Sequence, residues 1–231
     1  MKFSILQQDF LPALQAISRS VGIRATLPIL SNILLAGEGS KLKITATNLE
    51  IGVIRELASA EIENPGEITV PAKTLIEIVS GLGPVKIDFE ATGEILSLSA
   101  NKFKATINGI SSAEFPVIPL STEKGMVFKK EILLSCADIL FASAVDEGRP
   151  ILTGILTESI GGSLNFVATD GFRLANRQIK IGGTAKINFK ALIPRRTFEE
   201  VLRILQEEET DEVEISTTPN QIIFKIGLTA H

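Results

Sequence analysis

The chain has 231 residues, 45% of them apolar and 22% charged, with a formal net charge of −4. One cysteine, Cys136, excludes an intrachain disulfide, and a single histidine at the last position, His231, leaves the usual structural zinc sites and a Ser-His-Asp triad without their parts. The acidic balance gives no global reason for a polyanionic partner, so phosphate contact would need a local basic face.

The N-terminus lacks the apolar run of a signal peptide, and no stretch reaches the roughly 20 apolar residues of a membrane span. A cytoplasmic protein without a membrane partner is expected. There is no Walker loop and no G-x-G-x-x-G fingerprint. No Asp or Glu pair stands in a spacing that argues for acid–base catalysis. The expectation is a non-enzyme with no catalytic residues, no cofactor and no metal.

Taken in order, residues 2–6 predict a strand. Residues 8–20 predict a helix, because Phe10, Leu14, Ile17 and Val21 recur on one face, with Pro12 placed in the first turn. Residues 29–35, 41–47 and 51–58 predict three strands, the second with clear apolar–polar alternation. After the Pro65-Gly66 turn the pattern recurs. Residues 67–70 predict a strand and 71–80 a helix, with Pro at its start and Gly81 at its end. Residues 85–89, 95–98 and 103–107 predict three more strands. The first half thus reads as strand–helix–three strands, written twice. Helices on one side of antiparallel strands make an α+β architecture.

Residues 115–125 carry two prolines and a polar tail, and read as a connection. This sets the domains at 1–119 and 126–231, with 120–125 as the linker. The pattern restarts with a strand at 127–128 and a helix at 129–145. Cys136 has helical spacing with Ile132, Ile139 and Leu140 and reads as a buried small apolar residue. Residues 194–206 predict a helix that matches the one at 71–80, and 213–215 and 222–226 predict strands.

One stretch ties the halves together. Residues 28–49, PILSNILLAGEGSKLKITATNL, align without a gap on residues 150–171, PILTGILTESIGGSLNFVATDG, at a shift of 122 with 9 of 22 positions identical. That shift is a domain length, not a solenoid period of about 20–50 residues. Two tandem copies of one fold follow. The second copy lacks a counterpart to the strand at 103–107, so the chain is expected to be a fragment cut before that strand.

With Thr26-Leu27-Pro28-Ile29-Leu30-Ser31-Asn32 in one half and Ala168-Thr169-Asp170-Gly171-Phe172-Arg173-Leu174-Ala175 in the other, the whole chain resembles the bacterial DNA polymerase III beta-subunit family, the sliding clamps. The resemblance implies two of three clamp domains, the third being absent, with helices on an inner face and antiparallel sheets outside. It implies a processivity factor that encircles duplex DNA without sequence preference and closes as a head-to-tail homodimer. It places Arg24, Lys73, Arg149 and Arg196 where the family meets DNA. A pocket for short motifs of the polymerase III alpha subunit, the clamp loader and other clamp-binding proteins would involve Leu152, Thr169, Gly171, Phe172, Arg173 and Leu174. Phe172 stands where the family often has histidine. Ile78, Leu82 and Lys102 match ring-interface positions. The alternative readings are a non-DNA interaction scaffold of the same duplicated fold and, behind it, an α+β hydrolase.

Overall fold

The computed structural model describes residues 1–22, 27–120, 125–146, 148–181, 189–218 and 220–227. Contacts divide the chain into two units, Met1–Ile118 and Pro119–His231.

The first unit runs β1 (Lys2–Leu6), α1 (Gln7–Ser18), a 3-10 turn (Pro28–Ser31), β2 (Asn32–Glu38), β3 (Lys41–Thr47), β4 (Gly52–Leu57), β5 (Glu61–Asn64), β6 (Gly66–Pro71), α2 (Ala72–Gly81), β7 (Lys86–Thr92), β8 (Ile95–Ala100) and β9 (Phe103–Asn108). Its strands form two antiparallel sheets, ordered β5-β1-β7-β8-β9 and β4-β3-β2-β6. The two internal repeats exchange their first strands. β1 pairs with β7, and β6 pairs with β2. Neither repeat can then bury its apolar face alone, and one core serves both.

That core is reached by simple periodicities. In β7 the outward residues Lys86, Asp88 and Glu90 alternate with buried Ile87 and Phe89. In α1, Phe10, Ala13, Leu14 and Ile17 form the buried stripe. Phe3 stacks on Phe89 at 4.7 Å between centroids, and Phe10 meets both rings edge-on at 6.3 and 5.3 Å. α1 and α2 pack against each other, so both helices share one side of the unit.

The second unit runs β10 (Met126–Lys129), α3 (Lys130–Leu134), 3-10 turns at Ala137–Ala142 and Pro150–Thr153, β11 (Gly154–Ile160), β12 (Ser163–Thr169), β13 (Leu174–Lys180), β14 (Phe189–Pro194), α4 (Arg195–Glu207), β15 (Glu212–Thr218) and β16 (Gln221–Ile226). The sheets are β13-β12-β11-β14 and β10-β15-β16. The first-strand exchange is the same: β10 pairs with β15 and β14 with β11. Phe166 and Phe198, with centroids 5.8 Å apart, centre the core.

The duplication holds at the level of single residues. The 3-10 turn, β2 and β3 of the first unit recur at a displacement of 122 as the Pro150 turn, β11 and β12, with identical bounds at every end. Ser31 Oγ donates to the Pro28 carbonyl at 2.6 Å, and Thr153 Oγ1 donates to the Pro150 carbonyl at 2.7 Å.

Four expectations change. The apolar run at 29–35 opens with a 3-10 turn, because Pro28 fixes its start and the Ser31 hydroxyl closes it. α1 begins one residue earlier than expected, and exposed Pro12, expected in the first turn, is its sixth residue and lies in the second, where it removes the bond to the Gln8 carbonyl. β5 had no sequence signal beyond Ile62. It is an edge strand held by β1. The helix expected over 129–145 is α-helical only to Leu134. Both the Ser135 hydroxyl, at 2.8 Å, and the Cys136 thiol, at 3.2 Å, bond back to the Ile132 carbonyl, and the chain tightens into 3-10 geometry. Cys136 is fully buried, and burial pushes its thiol up to about 12, so it is an inert packing residue.

Candidate nucleic-acid and peptide interfaces

Three groups of side chains follow from the sequence, and each is set by a different local structure.

The first is cationic. Lys73 is the second residue of α2 and Arg196 the second residue of α4; the helices follow β6 and β14, which superimpose at a displacement of 123. Both are exposed, and neither helix has an acidic residue in its first turn. A cation there opposes the helix dipole, so helix stability does not explain it. Lys73 reaches Glu77 at 3.9 Å with its side chain 88% exposed, a pair worth little in water. Arg196 makes no ion pair among the described residues. Its neighbours do: Arg195 pairs with Glu199 at 2.7 Å, and Arg203 pairs with Glu200 and Glu207. Those two arginines lace the outer face of α4, whose inner face buries Phe198, Val201, Leu202 and Leu205. Arg24 and Glu147 lie outside the described residues.

The second group is the turn between β12 and β13. Thr169 Oγ1 accepts the Gly171 N–H at 3.1 Å and donates to the Arg173 carbonyl at 2.7 Å. Asp170 Oδ1 accepts the N–H groups of Phe172 and Arg173, each at 3.0 Å. These bonds, the Arg173 backbone N–H foremost, hold the Asp170 carboxyl below the usual carboxylate range. Gly171 has φ 91°, which only glycine adopts without strain. The turn throws Phe172 fully into solvent and leaves Leu174 67% exposed. Arg173 lies over the Phe141 ring at 5.4 Å from its centroid.

Leu152 and Arg149 join this turn. A Cβ built at Gly171 would stand 3.9 Å from Leu152 Cδ1 and 3.7 Å from Arg149 Nη1. Leu152 thus stands against Gly171 in the turn that carries Thr169, Phe172, Arg173 and Leu174, and Arg149, expected among the DNA contacts, stands beside the same glycine. Exposed Ile151 and Leu192 extend the apolar area, with Leu192 lying over Gly154. Sequence reasoning missed Phe141, Leu192 and Asp170. Asp170 had a signal, the Thr-Asp-Gly order of an Asx turn.

The third group does not come together in the same way. Ile78 and Leu82 are half-buried against the core of their own unit. Lys102 is exposed in the turn joining β8 and β9, beside Asn101 in the left-handed region. β9 is the outer strand of its sheet.

Among the described residues, no cluster of three or more His, Cys, Asp or Glu side chains is placed to hold a metal ion. Nor is any helix among them long and apolar enough to cross a membrane. His231 lies outside the described residues.

Fold and surfaces together define a class: a tandem α+β protein of intertwined repeats, with a paired helix layer in each unit and one exposed turn rich in apolar side chains. Residues 1–119 match the DNA polymerase III beta subunit, N-terminal domain, and residues 127–230 match the central domain of the same subunit. The chain belongs to the DNA polymerase III beta-subunit family. It is 31% identical to the beta sliding clamp of Synechocystis over 255 residues, covering 98% of this chain and 64% of that protein. It is 32% identical to the beta sliding clamp of Caulobacter vibrioides over 239 residues, covering all of this chain and 64% of that protein. The crystal structure of the DNA polymerase III subunit beta from Pseudomonas aeruginosa superimposes with a TM-score of 0.90 at 31% identity, covering 98% of this chain and 62% of that one. The beta subunit of Streptococcus pyogenes gives a TM-score of 0.90 at 28% identity. The chain spans somewhat under two thirds of the length of the relatives it matches.

Proposed function

We propose that this chain is the first two domains of a DNA sliding clamp, a non-catalytic processivity factor of the cytoplasm. The observation that carries the reading is the recurrence of an exposed cation at one repeat position, Lys73 on α2 and Arg196 on α4, where helix stability would disfavour it. Loose, exposed cations suit a protein that must hold duplex DNA and still slide. They give salt-sensitive phosphate contact and read no bases. Arg24 and Arg149 complete the proposed set.

The turn at Thr169–Leu174, with Leu152, is proposed to dock short motifs of the polymerase III alpha subunit, the clamp loader and related proteins. Its exposed apolar side chains, with Gly171 open to close backbone approach, support that reading. A third domain outside this chain would supply the far wall. It would also supply the partner for Ile78, Leu82 and Lys102 in a head-to-tail ring.

The test is duplex binding across a salt series. Lys73→Gln with Arg196→Gln is expected to weaken binding and to lower the slope of log K against log salt by about 0.9 per lost contact. An unchanged affinity and slope would count against DNA contact at this position.

A further inference from the structure

The turn that carries the proposed docking surface occurs a second time in the same chain, which gives it an internal control. Thr47-Asn48-Leu49-Glu50-Ile51 lies 122 residues before Thr169-Asp170-Gly171-Phe172-Arg173. Thr47 Oγ1 accepts the Leu49 N–H at 3.0 Å, as Thr169 Oγ1 accepts that of Gly171 at 3.1 Å. Asn48 Oδ1 accepts the next two N–H groups at 3.0 and 2.8 Å, as Asp170 Oδ1 does at 3.0 and 3.0 Å. The third residue is left-handed in both, φ 75° at Leu49 and 91° at Gly171. An amide oxygen therefore builds this backbone as well as a carboxylate oxygen does.

What the carboxylate adds is its second oxygen. Asp170 Oδ2 accepts from Arg173 Nε at 2.9 Å. In the first unit the corresponding positions are an amide nitrogen, which cannot accept, and Ile51, whose side chain has no donor. The Asp170 side chain is 21% exposed and that of Arg173 56% exposed, so the pair forms at the rim of the surface, with the guanidinium laid over Phe141. Arg149 also stands against Gly171 at this turn.

We propose that Asp170 is a positioning residue for the docking surface: one oxygen shapes the Gly171 turn, and the other aims Arg173 along the rim beside Phe141. The inference rests on the docking function proposed above. It assigns a role to a side chain outside the expected pocket set, and it separates two tasks that one substitution can divide. Asp170→Asn keeps the oxygen that Asn48 uses and loses the acceptor for Arg173. Asp170→Ala loses both.

The experiment compares the intact protein with both variants. Nitrogen NMR follows the Phe172 and Arg173 amides and the Arg173 Nε–H, and a labelled peptide from the polymerase III alpha subunit reports binding. Asp170→Asn is expected to leave the two amides in place, to expose Arg173 Nε–H to exchange, and to weaken the peptide roughly tenfold, the size of one charge-assisted bond. Asp170→Ala is expected to shift the amides as well and to weaken the peptide further. If Asp170→Asn leaves both Arg173 Nε–H exchange and peptide affinity unchanged, the positioning role is overturned. If the unaltered protein binds no peptide while Arg173 Nε–H still responds, the positioning role is supported and the docking function falls.

Discussion

The same Pro-Ile-Leu turn is covered in one unit and open in the other. In the first unit, Ile29 and Leu30 are 5% and 3% exposed, and they cluster with Phe115 against Leu34 and Ile110. The cover is the segment after β9. Ile110 bridges to Thr69 in β6, whose hydroxyl donates to the Ile110 carbonyl and accepts from Asn32 Nδ2. Gly109 makes the crossing possible, since a Cβ there would overlap the Thr69 carbonyl oxygen. In the second unit the equivalents of Asn32 and Thr69 are Gly154 and Leu192, neither of which has a polar side chain to form this clamp. Ile151 is 69% exposed, Leu152 half-buried and Leu192 45% exposed. Duplication kept the turn to the residue, and in the first unit the segment after β9 covers it. Covered, it is core. Open, it is an apolar surface beside Phe172 and Arg173.

The sharpest way to break that comparison is one substitution made twice. Ile29→Ala is expected to destabilise its unit by about 3 kcal/mol, the lost transfer energy plus a cavity under Phe115. Ile151→Ala, at the same repeat position, is expected to change stability by no more than about 0.5 kcal/mol. Denaturant unfolding of each variant checks the pair. Equal losses would mean that the second turn is covered in solution.

A smaller effect comes from the third residue of the repeated Asx turn. Leu49 is an exposed, non-glycine residue at φ 75°, and Gly171 stands at φ 91°. Leu49→Gly is expected to raise the stability of the first unit by about 1 kcal/mol by removing left-handed strain. Gly171→Leu is expected to lower that of the second by a similar amount. Melting temperatures measured on both variants decide it. A loss of stability in Leu49→Gly would show that the exposed leucine has a contact worth more than its strain.

How far the sequence carried the fold depended on periodicity. The first strand and the apolar face of α1 were legible because alternation and 3.6-residue spacing are strong there, and α4 was legible by its match to α2. The 22-residue repeat showed that the two halves share one local structure, although the 3-10 turn that opens it in each half was read as strand. What failed was chemistry that periodicity does not see. Ser135 and Cys136 end α3 through bonds to one carbonyl, although Leu140 and Phe141 continue its apolar pattern. β5 has too few apolar residues to announce itself and exists because β1 offers an edge. For the site, residue type was legible and grouping was not. Arg149 read as one of a set of cations until its position beside Gly171 was known. Asp170 read as part of a motif, because the task of its second oxygen shows only against Asn48.

The smallest effect expected is also the one that isolates that oxygen. Asp170 is held below the usual carboxylate range by the N–H groups of Arg173 and Phe172 and by the Arg173 charge, and Asn48 does not titrate. A depressed folded value means the carboxylate form stabilises the turn. Its contribution is complete above the ordinary carboxylate range and is lost as pH falls through the depressed value. An acid titration followed by amide shifts should therefore move Phe172 and Arg173 in the second unit. The Ile51 amide, held by the Asn48 amide oxygen, should move less, and Asp170→Asn should remove this difference between the two turns. Equal movement of the Ile51 and Arg173 amides in the unaltered protein would mean that the acid response belongs to the units as a whole and not to Asp170.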